Sequence, residues 1–287
     1  MLADLLSLLW APFLMCLVLT GIHAYLGVHV LAREVVFVDI AMAQIAALGA
    51  TAAFLLGYDI DQWESYAWSL AATLLGAVVL SITRSRRRNV SQEAVIGIVY
   101  AVSSAAAVLL ADRAAHGAEQ VRTMLVGNLL AVRPSEVAKV AVLYSLVGLL
   151  HWFCRRPFLL ISTDPHTAYD AGVRVRLWDF VFYASFGVVV ASSVRIAGVL
   201  LVFSYLIVPA LAGVMLGGTV ATRLAIGWAF GTLVSVIGIV ASAALDLPTG
   251  ATVVCAFGAT LIVFWIGTRL SRRLAALGAV PDEPGRR

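Results

Sequence analysis

Seven stretches of this chain contain no Asp, Glu, Lys or Arg: Leu5 to Ala32, Ile40 to Tyr58, Ser65 to Thr83, Ala94 to Ala111, Ile196 to Thr222, Leu224 to Leu245 and Leu247 to Thr268. Each is near or above the ~18 to 20 apolar residues that carry a helix across a bilayer. Two more stretches, Glu136 to Phe153 and Leu177 to Val194, qualify if Lys139 and Asp179 sit near their ends, where a charge is cheaper than at the bilayer centre. A chain that is 62% hydrophobic and 13% charged fits no soluble domain, since globular proteins are about half apolar and a quarter charged. The expected fold is an all-α polytopic membrane protein of about nine transmembrane helices. Outer-membrane strands are excluded because barrel strands alternate over ~10 residues, whereas these runs are continuous.

Nine spans use roughly 180 residues and leave no room for a soluble domain. Residues 1–273 therefore read as one transmembrane domain and 274–287 as a polar tail. The first run is too long for a signal-peptide core and is preceded by Asp4 with no Lys or Arg, so it is expected to stay as a membrane helix. Counting loops alternately, one side of the membrane receives fifteen of the twenty Lys and Arg residues, among them Arg33, Arg84, Arg155, Arg174, Arg223 and Arg269. The positive-inside rule makes that side cytoplasmic, with the N-terminus outside and the C-terminus inside. The net charge of +4 is thereby explained by topology, and no basic and aromatic clustering points to nucleic acid.

Cys16, Cys154 and Cys255 form no metal or redox motif and read as small core residues. The only lysine, Lys139, has no glycine loop before it, so the chain carries no phosphate-binding loop for ATP, and ATP-driven transport would need a separate subunit. There is no HExxH, no GxSxG and no carboxylate pair spaced for hydrolysis. A non-enzymatic membrane subunit is expected.

Polar groups inside spans are the informative residues, because each must face protein or water. His23 falls near the middle of the first span and His29 near its cytoplasmic end; six residues apart, they do not share a helix face. Each reads as a helix-packing hydrogen-bonder or as a ligand. Asp39 opens the second span as a solvated helix start or a charged contact, and Gln44 is packing glue among alanines or a pathway residue. Pro209 frees the carbonyl of Tyr205, which is a packing kink or the broken helix of a transporter. In the loop after Cys154, Asp164 before Pro165, then Ala168 and Gly172, describe a short capped helix ended by glycine. It is an interfacial helix or, in a protein without its own motor, a docking surface.

Several pieces together resemble the permease subunit of bacterial ABC importers for zinc, manganese and iron: Leu26 to Arg33 leading into Asp39 to Gly49, Gln92 to Gly97, Gly127 to Val132, Asp164 to Val173, and Arg195 to Pro209. Their order and spacing cover most of the chain. The resemblance implies a homodimer in the bacterial cytoplasmic (inner) membrane, in contact with membrane lipid, with two cytoplasmic ABC ATPase subunits that bind ATP and an extracytoplasmic metal-binding protein. It implies no permanently bound cofactor, a divalent metal ion as cargo, and an ATPase-coupling role for Asp164, Ala168 and Gly172.

The second span departs from the family pattern, in which Gly-Asp at the helix start is followed by a His four residues after the Asp. Aligned from Arg33, this chain has Asp39 at the glycine, Ile40 at the aspartate and Gln44 at the histidine. An amide in place of an imidazole moves ligation from nitrogen towards oxygen and from zinc towards harder ions. Asp39 as charged contact, Gln44 as oxygen ligand and His23 as third contact make up the expected pathway. The alternatives are an ABC permease for a chelated metal or other small solute, or an ATPase-independent ion carrier.

Overall fold

The computed structural model describes residues 2–59, 62–84, 91–113 and 124–278. The tail segment Val280 to Arg287 and the loop residues Arg86, Arg87, Arg88 and Arg122 lie outside these. Among the described residues there is no strand, and nine helices are long and apolar enough to cross a membrane. They are α1 (Leu2–Ala32), α2 (Val38–Leu55), α3 (Trp63–Ile82), α4 (Gln92–Ala111), α5 (Pro134–Phe153), α8 (Val175–Ala197), α9 (Val199–Leu216), α10 (Val220–Leu245) and α11 (Thr249–Gly278). Two short helices, α6 (Arg155–Thr163) and α7 (Pro165–Asp170), occupy the connection between α5 and α8. All nine expected spans, the seven uncharged runs and the two that carry a charge, are helical.

The helix ends follow local chemistry. Ser91 opens α4 by accepting the Ala94 amide at 3.2 Å, and the Glu136 carboxylate accepts the Arg133 amide at 2.8 Å where Pro134 starts α5. Within the spans, buried hydroxyls satisfy themselves on the preceding turn. Thr20 donates to the Cys16 carbonyl at 2.7 Å and Thr51 to that of Ala47 at 2.9 Å, which lets small polar residues sit in an apolar helix at little cost.

Alternation of the chain puts the ends of α1, α3 and α5, the starts of α2, α4 and α8, and both short helices at one end of the bundle, here called the base. Helix α1 is central, packed on α5, α9 and α10, while α2 packs on α3, α4 and α8. Of the residues in the spanning window of α1, 67% are buried, against 17% in that of α11, which lies at the periphery. Close approach requires glycine at particular crossings: a Cβ on Gly27 of α1 would collide with the Leu206 carbonyl of α9. At the end opposite the base, Gly198 at φ 77° turns α8 directly into α9, and Gly127 at φ 69° backs onto that turn. The Asn128 amide donates there to the Ile196 carbonyl at 3.1 Å, so the Gly127 to Val132 segment is pinned to the α8–α9 corner. Cys16 is buried, but Cys255 is exposed on α11; a peripheral helix shows this face to its surroundings, which corrects the expectation of three core cysteines.

Candidate functional site

The base holds the most highly built polar structure of the chain. Asp164 caps α7: its carboxylate accepts the Thr167 amide at 3.0 Å and the Thr167 hydroxyl at 2.5 Å. These bonds, the hydroxyl's first, hold its carboxyl below the ordinary 3.8. At the other end the Gly172 amide donates to the Tyr169 carbonyl at 3.1 Å and the Val173 amide to the Ala168 carbonyl at 3.0 Å, with Gly172 at φ 73°. This is a Schellman stop, in which only a residue at ease in the left-handed region fits the glycine position. Ala168 is buried against Ile161 and Val175, anchoring the helix to α6 and α8. The capped helix expected over this stretch forms, with Gly172 projecting into open space.

Two residues before that cap, Ser162 ties the short helices to α1. Its Oγ accepts from Arg33 Nε at 2.8 Å and is hydrogen-bonded to His29 Nδ1 at 2.9 Å. Arg33 also donates from Nη1 to Asp179 Oδ1 at 2.7 Å, with both side chains fully buried. Its guanidinium stacks 4.0 Å over Phe182, and Arg84 Nε stands 3.5 Å from the second Asp179 oxygen. Asp179 was expected to be tolerated because it sits near the end of its span. It lies near that end, but it is wholly buried, and its partners are what make it tolerable: an unpaired carboxylate there would carry a desolvation penalty of several kcal/mol, roughly. One ion-pair cluster thus joins the ends of α1 and α3 and the start of α8, with α6 tied to it through Ser162.

The residues expected along a pathway lie on two helices, Asp39 and Gln44 on α2 and His23 on α1. Asp39, in the first turn of α2, is fully buried, and neither of its oxygens has a hydrogen-bond donor among the described residues. The solvated helix start weighed for it does not form, because α3, α4 and α8 cover α2. Gln44 is half-buried on the same helix among the buried alanines Ala41, Ala43, Ala46 and Ala47. His23 is on α1, nine residues before Ala32, or about 14 Å from that helix end, and its ring meets Tyr144 of α5 edge-on at 6.0 Å. The structure does not gather His23 with Asp39. His23 Nδ1 lies 2.9 Å from the Leu19 carbonyl; a carbonyl only accepts, so Nδ1 carries the proton and the buried Nε2, which has no partner among the described residues, presents a lone pair. That is the tautomer of a metal-ligating imidazole. Among the described residues no three His, Cys, Asp or Glu side chains are placed to hold a metal together.

Helix α9 runs unbroken through Pro209, whose carbonyl and ring pack against Gly227 and Gly231 of α10. The broken helix weighed for it does not form. Sequence reading missed His151, which is fully buried on α5 with Nε2 at 2.8 Å from Ser185 Oγ and Nδ1 at 3.3 Å from the Tyr25 hydroxyl. A histidine inside a span was the signal, passed over because it stands two residues from the end of its apolar run.

The family model described as the ABC 3 transport family matches residues 6–267 of this chain. The manganese transport system membrane protein MntC of Listeria innocua is 28% identical over 180 residues, which is 63% of this chain and 63% of that protein, so the match spans less than two thirds of its length. The manganese import system permease protein ScaB of Streptococcus parasanguinis is 23% identical over 254 residues, 88% of each chain. The solved structure of PsaBC from Streptococcus pneumoniae in complex with Fab has the same fold, with a TM-score of 0.76 at 18% identity over 92% of this chain and 95% of that one.

Proposed function

The chain belongs to the ABC 3 transport family, and from that premise we propose that it is the membrane subunit that moves a divalent transition metal ion inward across the bacterial cytoplasmic membrane. Relatives named for manganese support that class of cargo, and manganese or iron suits the amide at Gln44 better than zinc does. The subunit itself does no chemistry. ATP is hydrolysed on a separate cytoplasmic ABC ATPase, an extracytoplasmic metal-binding protein delivers the ion, and two copies of this chain form the translocating pair. The base faces the cytoplasm, the N-terminus lies outside, and residues beyond 273 form the cytoplasmic tail.

The observation that carries this reading is the α6–α7 unit. Asp164, Ala168 and Gly172 shape a short rigid helix at the membrane surface, and Ser162 clasps the unit to His29 and Arg33 of α1. A push on α7 is therefore delivered to the central helix, which carries His23 at mid-membrane. Asp39 offers charge, Gln44 an amide oxygen and His23 a bare nitrogen to the passing ion. A chelated metal or other small solute is the second reading, favoured by the missing histidine at Gln44. Elemental analysis of an importer-deficient bacterium expressing the chain with its ATPase and binding protein tests both. Accumulation of one ion supports the metal reading; no accumulation of zinc, manganese or iron with the ATPase still co-purifying supports the other cargo. Transport by the chain alone in liposomes would overturn the ABC mechanism.

A further inference from the structure

A groove of about 600 Å³ runs between α1, α5 and α10 and belongs neither to the ion-pair cluster nor to the surface of α7. Its volume is within the ~300 to 1,000 Å³ of ligand sites. Along α1 it extends from Leu17 to His29, about 18 Å at the rise of an α-helix. That is close to the ~15 Å hydrocarbon depth of one leaflet. Its floor is open where Gly21 of α1 and Gly148 of α5 line it, since a Cβ on either would meet nothing within 4 Å.

Most polar atoms along this wall are already used; the exception is His29 Nε2, which is buried and has no partner among the described residues. Tyr144 donates its hydroxyl towards the Val189 carbonyl of α8 at 3.3 Å, His151 is bonded to Ser185 and Tyr25, and Trp228 donates its indole N–H to the Gly21 carbonyl at 3.0 Å. What faces the groove is ring and aliphatic carbon. Only at the base does a charge enter, where Arg155, its guanidinium 4.4 Å over the Trp152 ring, lines the groove's end.

We propose that this groove binds one acyl chain of an anionic glycerophospholipid from the leaflet at the base, with the headgroup phosphate on Arg155. Length, apolar walls and one terminal cation match that molecule along its whole extent. Arg155 is worth attraction to anionic lipid because it stands at the membrane surface. The bound chain fills the wedge between α1 and α5, so the central helix moves against lipid on that side.

The test is native mass spectrometry of the full chain released from vesicles of phosphatidylglycerol and phosphatidylethanolamine in equal parts. Wild type retains a phospholipid adduct enriched in phosphatidylglycerol. Gly148→Leu, whose side chain enters the open floor, loses the adduct while its helical circular dichroism is unchanged. Gly97→Leu, an equally open position on α4 outside the groove, keeps it. Arg155→Gln keeps an adduct but loses the preference for phosphatidylglycerol. Equal retention by Gly148→Leu and wild type, or a disulfide between two copies of Gly148→Cys, overturns the proposal. The readout is a mass and not uptake, so failure here leaves the metal-transport reading untouched.

Discussion

Arg33 Nη1 and Asp179 Oδ1 meet at 2.7 Å with neither side chain exposed, although 146 positions separate them along the chain. Arg84 approaches the other carboxylate oxygen at 3.5 Å, so the lone acid serves two cations from two helix ends. The pair makes the base a single mechanical piece, since α1, α3, α6 and α8 cannot separate there without exposing a buried charge to an apolar medium.

Removing the acid should therefore harm more than removing the pair. Asp179→Asn leaves Arg33 buried without its counter-ion and is expected to lower stability by about 3 to 5 kcal/mol. The double variant Arg33→Leu with Asp179→Leu should recover much of that loss. Thermal unfolding in detergent checks both, and a double variant as unstable as the single one would mean that the hydrogen bond to Ser162 matters more than the ion pair.

Ser162→Ala strips the acceptor from Arg33 Nε and the hydrogen-bond partner from His29 Nδ1. Leaving such groups unsatisfied costs about 1 to 3 kcal/mol. The sharper expectation concerns coupling: ATP hydrolysis by the assembled transporter continues while metal taken up per ATP falls. Parallel measurement of phosphate release and ion accumulation reads that ratio, and an unchanged ratio removes Ser162 from the transmission path.

Gly172 separates strain from obstruction. At φ 73° an alanine is strained by roughly 1 kcal/mol, yet its Cβ meets nothing. Gly172→Ala should lower uptake mildly. Gly172→Trp, with the same backbone penalty and a large side chain on the proposed docking face, should abolish uptake and co-purification of the ATPase. Equal effects of the two would locate the defect in the fold of α7 instead of in docking.

The cap on α7 predicts a pH response with a definite sign. The Thr167 hydroxyl and amide hold the Asp164 carboxyl below its ordinary value of 3.8, so the cap's contribution is full above that value and is lost as pH falls through the lowered one. ATPase binding to the permease should be flat from neutral pH down to the ordinary carboxylate range and weaken only below it. Asp164→Asn, which still accepts the Thr167 amide, should remove that acid limb in a pull-down titration.

Asp39 offers a test in which stability and transport move apart. Its oxygens have no donor among the described residues, and replacing a buried unpartnered carboxylate by an amide relieves an unfavourable burial. Asp39→Asn is expected to melt no lower than wild type while ion accumulation is lost. Accumulation at the wild-type level would take Asp39 out of the pathway.

Much of this protein was legible residue by residue. The nine spans follow from unbroken apolar runs, because a helix satisfies its own backbone and needs only side chains that tolerate lipid. The α7 helix was legible for the same local reason: Asp164, Pro165 and Gly172 act within a few positions of themselves. The departure at Gln44 was legible only against the pattern of the family that the sequence resembles.

The partnerships could not be read that way. That Asp179 is held by Arg33 and Arg84, that Ser162 joins α6 to α1, and that His23 faces Tyr144 while Asp39 is sealed under α3, α4 and α8 all depend on which helices pack side by side. A span's hydrophobicity is nearly uniform around its axis and lipid is as apolar as the interior, so the pattern in the sequence does not mark the face that turns inward. That choice is made by glycine contacts and buried hydrogen bonds between residues far apart in the chain. Composition and local spacing therefore determined that this chain crosses the membrane and where its short helix stops, and tertiary packing alone decided which polar groups meet.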